Sequence, residues 1–196
     1  VGMFLMGGVF ATQFGMASVW GSEVGLSVKN LSIFVGSIYV GGLVLQYPIG
    51  WLSDRIDRRT LIAWLSAFGA VAVFLGTVLP WTLLVLVAIG FMSGGVSNPL
   101  YSLLVAYAND HLDRSEMAGA SAGLLFINGL GAIGGPLITG WFMQQFGPGG
   151  YFLFMALLFA TITAYAVWRM TRRHAQLSVR RRFRALSPSA SAVAVE

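Results

Sequence analysis

The chain has 196 residues, of which 57% are hydrophobic and only 10% charged, and its mean hydropathy is +0.77. Soluble domains carry about 25% charged residues. The composition therefore argues against a soluble enzyme and, despite a net charge of +5, against a nucleic-acid-binding protein. The chain has no cysteine, which excludes disulfides, thiolate metal sites and cysteine nucleophiles.

Six long apolar runs predict six membrane-spanning helices. They fall at 2–20, 31–52, 60–79, 82–107, 117–142 and 151–170. Each is long enough to cross a hydrocarbon core of about 30 Å, and runs this unbroken favour helices over the alternating strands of a barrel. We therefore predict an all-α membrane protein with a six-span domain over 1–170. Because Val1 is not an initiator and no signal-peptide features follow it, we interpret the start as a cut inside a longer polypeptide.

The charges predict the orientation of the spans. All eleven arginines lie on one side of the predicted membrane: Arg55, Arg58, Arg59, Arg114, Arg169, Arg172, Arg173, Arg180, Arg181, Arg182 and Arg184. Lys29 is the single basic residue on the other side. By the positive-inside rule the arginine side is cytoplasmic. Residues 171–196 are then a basic, disordered cytoplasmic tail. Its arginines can be attracted to anionic lipid, although the simpler interpretation is that they only fix the orientation.

Four of the six spans contain a side-chain amide. These amides are Gln13, Gln46, Asn98 and Asn128, in spans one, two, four and five. Amides inside a membrane need polar partners, so they face either another helix or a water-filled cavity. Spans three and six contain none, and span six, which has no glycine and many aromatic residues, has a lipid-facing profile. This distribution predicts that four spans surround something polar and that two support them from outside.

Glycine and proline also concentrate in these spans. Two G-x-x-x-G pairs, Gly90 with Gly94 and Gly131 with Gly135, lie close to amides, and Pro48, Pro99 and Pro136 interrupt spans two, four and five. Small residues allow helix backbones to approach closely, and proline favours a kink. Such helices can be tight structural crossings or gates that bend, and the sequence favours the first interpretation.

Residues for acid–base or metal chemistry are scarce. No carboxylate or histidine lies in the middle of a span, and Glu23, near the outer end of span one, is either a solvated loop acid or a possible coupling residue. No Ser-His-Asp arrangement and no phosphate-binding loop is visible. We therefore predict no enzymatic activity, no metal site and no cofactor.

The connection between spans two and three carries the most specific motif. It reads GWLSDRIDRRTLI at 50–62. Gly50 allows close backbone approach, and Asp54 lies where an acid can cap a helix N-terminus. The arginines of this loop can bridge to acids on the next loop of the same side, at Asp110, Asp113 and Glu116.

This loop resembles the G-x-L-x-D-R-x-G-R-R-x-x-L signature of the major facilitator superfamily. Asp57 departs from it, in the place of a glycine. The segment 131–140, GAIGGPLITG, is similar to the family's antiporter motif, which is typical of helix five. However, span four lacks the arginine typical of N-terminal halves, and a basic tail follows span six. We therefore interpret the chain as the C-terminal six-helix half. The strings QYPIG at 46–50 and AND at 108–110 suggest a bacterial subgroup of mostly unassigned substrates.

The resemblance implies a transporter of a small molecule that works by alternating access, in the bacterial inner membrane, together with the absent N-terminal half. It implies a central cavity whose candidate residues are Gln13, Gln46, Asn98, Tyr101 and Asn128. It also implies a cytoplasmic latch, with candidates Gly50, Asp54, Arg55, Arg58, Arg59, Asp110, Arg114 and Glu116. The alternative is a membrane structural or assembly factor that does not transport but has the same fold.

Overall fold

The computed structural model describes residues 1–110 and 117–172, and in these two ranges the chain is helical without any strand. The helices are α1 (Gly2–Phe10), α2 (Ala17–Glu23), α3 (Val28–Ser53), α4 (Arg58–Val78), α5 (Leu83–Asn109), α6 (Met117–Phe146) and α7 (Gly150–Arg172). The predicted all-α membrane class is confirmed. The helices lie at the six apolar runs, with ends that differ from the predicted ones by a few residues.

The first apolar run does not form one continuous helix, and nothing in its sequence predicts the interruption. A π-helical turn, Ala11–Gly15, follows α1, and α2 then leaves at an angle of 46° to the segment Gly2–Gly15. A π-turn inside a helix is a recognised cause of such a bend. Among the described residues, five helices are long and apolar enough to cross a membrane, or six if this bent pair is one span. The three span prolines, in contrast, lie inside helices that continue past them.

Local sequence explains where several helices begin. Ser27 precedes α3, and its Oγ accepts a hydrogen bond from the Asn30 backbone N–H at 3.3 Å. Thr82 does the same for α5, accepting from the N–H of Val85 at 3.4 Å. Both are N-caps that satisfy an otherwise unpaired backbone donor. The turn before α7 contains Gly147 at φ +69, a backbone conformation that glycine adopts without strain.

The helices pack mainly in pairs: α1 with α6, α3 with α5, and α4 with α7, while α5 also packs on α4. Backbone contact at glycine makes two of these pairs close. A Cβ at Gly94 of α5 would collide with the carbonyl of Ile38 in α3, and one at Gly131 of α6 would collide with the carbonyl of Phe4 in α1. The predicted small-residue pairs therefore lie at tight helix crossings.

The prediction that the sixth span has a lipid-facing profile is wrong for most of its aromatic residues. Tyr151, Phe152 and Phe159 of α7 are buried in the bundle. The ring of Phe159 packs over Gly69 of α4 and that of Phe152 over Gly76. The glycines of one helix make room for the rings of the other. Because lipid tails are as apolar as a packed membrane core, composition does not distinguish the two environments.

Two helices, α3 and α6, are covered on one side only. Within their most apolar windows, only 17% of α6 and 28% of α3 is buried, against 56% of α5. Their exposed faces carry large apolar side chains such as Leu43 and Leu137. In a membrane these faces contact either lipid or further helices.

Candidate substrate pathway and arginine-bearing end

The four predicted amides occupy different environments, and Gln13 does not lie on an accessible face. Its side chain is fully buried in the π-turn, and neither its Oε1 nor its Nε2 has a hydrogen-bond partner among the described residues. Its backbone carbonyl accepts from the hydroxyl of Tyr151 at 3.3 Å. Gln13 therefore faces the interior of the described bundle, and a role for it in a substrate cavity stays a prediction.

Two other amides make structural hydrogen bonds. Asn128 Nδ2 donates to the carbonyl of Met3 at 3.0 Å and so connects α6 to α1. Asn98 Nδ2 donates to the carbonyl of Gly94, one turn earlier in its own helix, at 3.3 Å, and its amide packs over Gly42 of α3. Both side chains are half-buried. The helix–helix hydrogen bond is observed for Asn128, whereas Asn98 bonds within its own helix. A role of either residue in binding stays a prediction.

Gln46 is the exposed amide. It lies on an open face of α3 and makes no hydrogen bond to any described residue. A polar side chain in the middle of an apolar span is costly to expose to hydrocarbon. The position of Gln46 therefore indicates a face that meets water or another polar surface.

Four aromatic side chains from different helices lie side by side, and the sequence did not predict that they are neighbours. Phe10 lies 5.6 Å from Tyr101 and 6.2 Å from Phe14, and Phe14 lies 5.0 Å from Tyr39, between ring centroids. We call these four residues the aromatic face. Its members come from α1, the π-turn, α3 and α5, and Tyr39 is 60% exposed. The sequence identified only Tyr101, because ring proximity across three segments has no signal in a local motif.

The aromatic face has no charged neighbour at membrane depth. Residues 31–53, 60–109 and 117–168 contain no Asp, Glu, Lys, Arg or His. Among the described residues, no group of three or more His, Cys, Asp or Glu side chains is placed to hold a metal ion. The arrangement can therefore stack on a ligand and hydrogen-bond to it.

At the arginine-bearing end of the bundle, charged side chains form an ion pair and stack on aromatic rings. Arg58, in the first turn of α4, forms an ion pair with Asp110 at the end of α5. The guanidinium of Arg55 stacks 3.4 Å from the ring centroid of Trp51. Arg59 and Arg169 approach the ring of Tyr107 from 5.4 and 5.6 Å. The contacts of Arg58, Arg59 and Arg169 join α4, α5 and α7 at one end of the bundle, whereas the contact of Arg55 is local.

Two details of the loop differ from the predicted ones. Asp57, and not Asp54, occupies the N-cap position of α4, although it makes no capping bond and its Oδ2 instead accepts from the Thr60 hydroxyl at 3.4 Å. Asp54 is exposed and has no hydrogen bond or ion pair to a described residue. No atom of the described residues lies within 4 Å of a Cβ built at Gly50, so the predicted close approach is not seen within this part of the chain. Arg114 and Glu116 lie outside the described residues, as do Asp113 and positions 173–196 of the tail.

Comparison with known proteins decides the family. Residues 1–194 match the sequence profile of the Major Facilitator Superfamily. The chain belongs to this superfamily. It is 29% identical over 156 residues to the uncharacterised MFS-type transporter YfkF of Bacillus subtilis, an alignment that covers 79% of this chain and 38% of the relative.

Other bacterial relatives are more distant. The chain is 23% identical over 158 residues to the uncharacterised MFS-type transporter YcaD of Escherichia fergusonii, covering 79% of this chain and 40% of the relative. The same figures hold for the uncharacterised MFS-type transporter Ent638_1421 of an Enterobacter species. No solved structure matches the chain significantly. The matched part thus spans about two fifths of the length of these major facilitator relatives.

This match confirms the predicted superfamily and the prediction of a multi-pass membrane protein. Members of this transporter family are generally not enzymes. The major facilitator signature loop, 50–62, joins α3 to α4 and carries Arg58 of the ion pair.

Proposed function

We propose that the chain is the C-terminal six-helix half of a secondary transporter that carries a small molecule across the bacterial inner membrane by alternating access. The observation that carries the proposal is the aromatic face together with Gln46. These side chains lie at membrane depth on an uncharged and incompletely covered part of the bundle. A transporter needs such a surface, because its substrate site lies between two helix bundles near the middle of the membrane.

The exposed faces of α3 and α6 support the proposed second half. Much of α3 and α6 is exposed, and α6 is the least buried of the long helices. An N-terminal six-helix half would cover part of these faces and would enclose the aromatic face between the two bundles. The share of the relatives that the chain spans agrees with a second unit of similar size.

The arginine-bearing end is the proposed latch. Arg58 and Asp110 fix the start of α4 against the end of α5, whereas Asp54 and Arg55 carry charge without a carboxylate or arginine partner within the described chain. We place this end in the cytoplasm because the arginines of the described residues all lie there, namely Arg55, Arg58, Arg59, Arg169 and Arg172. Exposed charges at this end can then pair with the other half in one state and release it in the other.

Cysteine accessibility tests the proposal without knowledge of the substrate, since this chain has no native cysteine. In a cysteine-free full-length protein, Gln46→Cys and Tyr39→Cys should react with a membrane-impermeant reagent added from either side, because alternating access opens the pathway in both directions. Trp64→Cys, on an exposed face of α4 away from the aromatic face, is the control and should react from neither side.

A one-sided result would contradict transport. If Gln46→Cys and Tyr39→Cys react from one side only under all conditions, the alternative of a membrane structural or assembly factor is favoured. The same preparation tests the orientation through Lys29→Cys, which should react from outside. Reaction of that variant from the cytoplasmic side alone would reverse the proposed topology.

A further inference from the structure

A cavity lies between the helices at the arginine-bearing end, and neither Gln46 nor any member of the aromatic face lines it. Its volume is about 170 Å³, and its wall includes residues of α1, α4, α5, α6 and α7. Two arginines, Arg59 of α4 and Arg169 of α7, line it together with Tyr107 and Tyr165. We propose that this cavity binds a small aromatic carboxylate of about the size of benzoate, with the carboxylate held by the two arginines.

One tyrosine ring positions both arginines beside the cavity. The guanidinium carbons of Arg59 and Arg169 lie 5.4 and 5.6 Å from the ring centroid of Tyr107, so at most about 11 Å separates them. Arg169 Nη1 also donates to the hydroxyl of Tyr165 at 3.4 Å. Contacts with an aromatic face orient a guanidinium but leave its charge in place. Two oriented cations therefore border the same space.

The charge of these two arginines is not balanced within the described chain, since neither forms an ion pair with a described acid. Asp110 at this end pairs with Arg58, and Asp57 accepts from the hydroxyl of Thr60. Asp54, the third described acid of this end, does not line the cavity. Both arginines are half-buried, and like charges are screened less there than at an open surface. An anion between them would offset this repulsion, and a carboxylate can accept paired hydrogen bonds from a guanidinium.

The rest of the wall favours a compact apolar ligand. It is formed mainly by aliphatic side chains, such as Ile62, Leu104, Leu124 and Ile162. Ile162 and Arg169 lie about two turns of α7 apart, so the apolar part extends roughly 10 Å from the charged part. An apolar cavity of about 150 Å³ holds one benzene molecule, and the volume here is similar. A ring with one carboxylate thus places each of its parts against matching chemistry, whereas an inorganic anion would leave the apolar part empty.

The test measures equilibrium binding of radiolabelled benzoate to the purified full-length protein in detergent. We expect saturable binding that unlabelled benzoate displaces and that benzamide, its uncharged analogue, does not. Arg59→Gln and Arg169→Gln should each weaken binding about tenfold, the usual effect of losing a hydrogen bond between charged groups. Arg172→Gln is the control, because it removes an exposed arginine of the same helix that does not line the cavity.

Variants of the apolar part test the shape of the cavity. Ala166 lines it, so Ala166→Leu should fill it and abolish measurable binding of benzoate. Ala164→Leu, at an exposed position of the same helix, is the matched control and should bind benzoate like the wild type. A larger ligand keeps the test valid if Ala166→Leu does not fold. This ligand, 4-phenylbenzoate, has the same carboxylate but a second ring, and it should fail to displace benzoate.

Three results would each overturn the proposal. They are the absence of saturable benzoate binding, equal displacement by benzamide and benzoate, and unchanged binding in both Arg59→Gln and Arg169→Gln. Phe10→Ala and Tyr39→Ala, at the aromatic face, should bind benzoate like the wild type. Loss of binding in these two variants, with binding kept in the arginine variants, would place benzoate on the proposed substrate pathway instead. The readout is binding alone, so the outcome is independent of whether the protein transports.

Discussion

Arg58 at the start of α4 forms an ion pair with Asp110 at the end of α5, across 52 positions of sequence. The two side chains are 30% and 49% exposed, so water screens the pair and its contribution to stability is modest. Ion pairs of this kind contribute about 0.2–1 kcal/mol. Such an energy leaves the fold intact but is sufficient to shift an equilibrium between two conformations several-fold.

We therefore expect Asp110→Asn to change the balance between inward-open and outward-open states without loss of expression. The measurement is the rate at which Gln46→Cys reacts from each side of the membrane. Arg58→Gln should have a similar effect, and the double variant should resemble either single variant, since both remove the same contact. If the effects of the two substitutions simply add, the two residues do not act through each other.

The second prediction concerns the crossing of α3 and α5. Gly94→Ala places a methyl group against the carbonyl of Ile38, so the helices have to separate. We expect a loss of about 1–3 kcal/mol in the free energy of unfolding, the usual cost of overpacking. Thermal unfolding in detergent measures it.

Gly36→Ala provides the control for this prediction, since nothing lies within 4 Å of a Cβ built at that position. It should leave stability unchanged or raise it by up to about 1 kcal/mol, because alanine has the higher helix propensity. Equal melting temperatures for the two variants would show that the crossing accommodates an added methyl group.

The third prediction separates the two glutamines that the sequence treats alike. Gln13 is buried, and both its amide atoms are unpaired among the described residues. Buried polar groups without partners cost free energy, so Gln13→Met should keep or raise the thermal stability. Gln46 is exposed and lies on the proposed pathway, so Gln46→Leu should reduce transport with little change in stability. The reverse outcome, in which only Gln13→Met impairs transport, would indicate that Gln13 lines the substrate cavity and that Gln46 does not.

The fate of these glutamines shows where sequence reasoning reaches its limit. The signature motif and the six apolar runs can be recognised from neighbouring residues alone, and helices form at these runs. The direction of a side chain around its helix is not local. In a span that is apolar on all sides, no amphipathic stripe identifies the buried face. The π-turn at Ala11–Gly15 adds a second uncertainty, because it rotates every later side chain of that span and has no proline to announce it.

Aromatic contacts were missed for a related reason. Nothing in the sequence distinguishes Phe10 and Phe14 in the first apolar run or Tyr39 in the second, and only the helix packing brings them beside Tyr101. The pairing of Arg58 with Asp110, in contrast, could be predicted from the sequence, because opposite charges on neighbouring loops of the same side have few other partners. Long-range polar pairs in a membrane protein can be inferred from topology, whereas apolar neighbours require the structure.

The fourth prediction concerns energy coupling. If transport is driven by protons, the essential titrating group should lie outside this chain's spans. Between residues 31 and 168 the apolar helices hold no ionisable acid, base or histidine at membrane depth, and amides do not titrate in the working range of pH. Glu23 is the candidate that would contradict this view. It ends α2, beyond the bend of the first span, and is exposed.

Glu23→Gln in the full-length protein therefore decides the matter, when substrate movement is measured with and without an imposed pH gradient. We expect both gradient-driven accumulation and downhill exchange to persist, because an exposed acid at the end of a helix has no route to the proposed substrate site. Ser22→Ala, the adjacent exposed position, is the control for disturbance of the helix end. Loss of accumulation with preserved exchange in Glu23→Gln alone would make Glu23 the coupling residue.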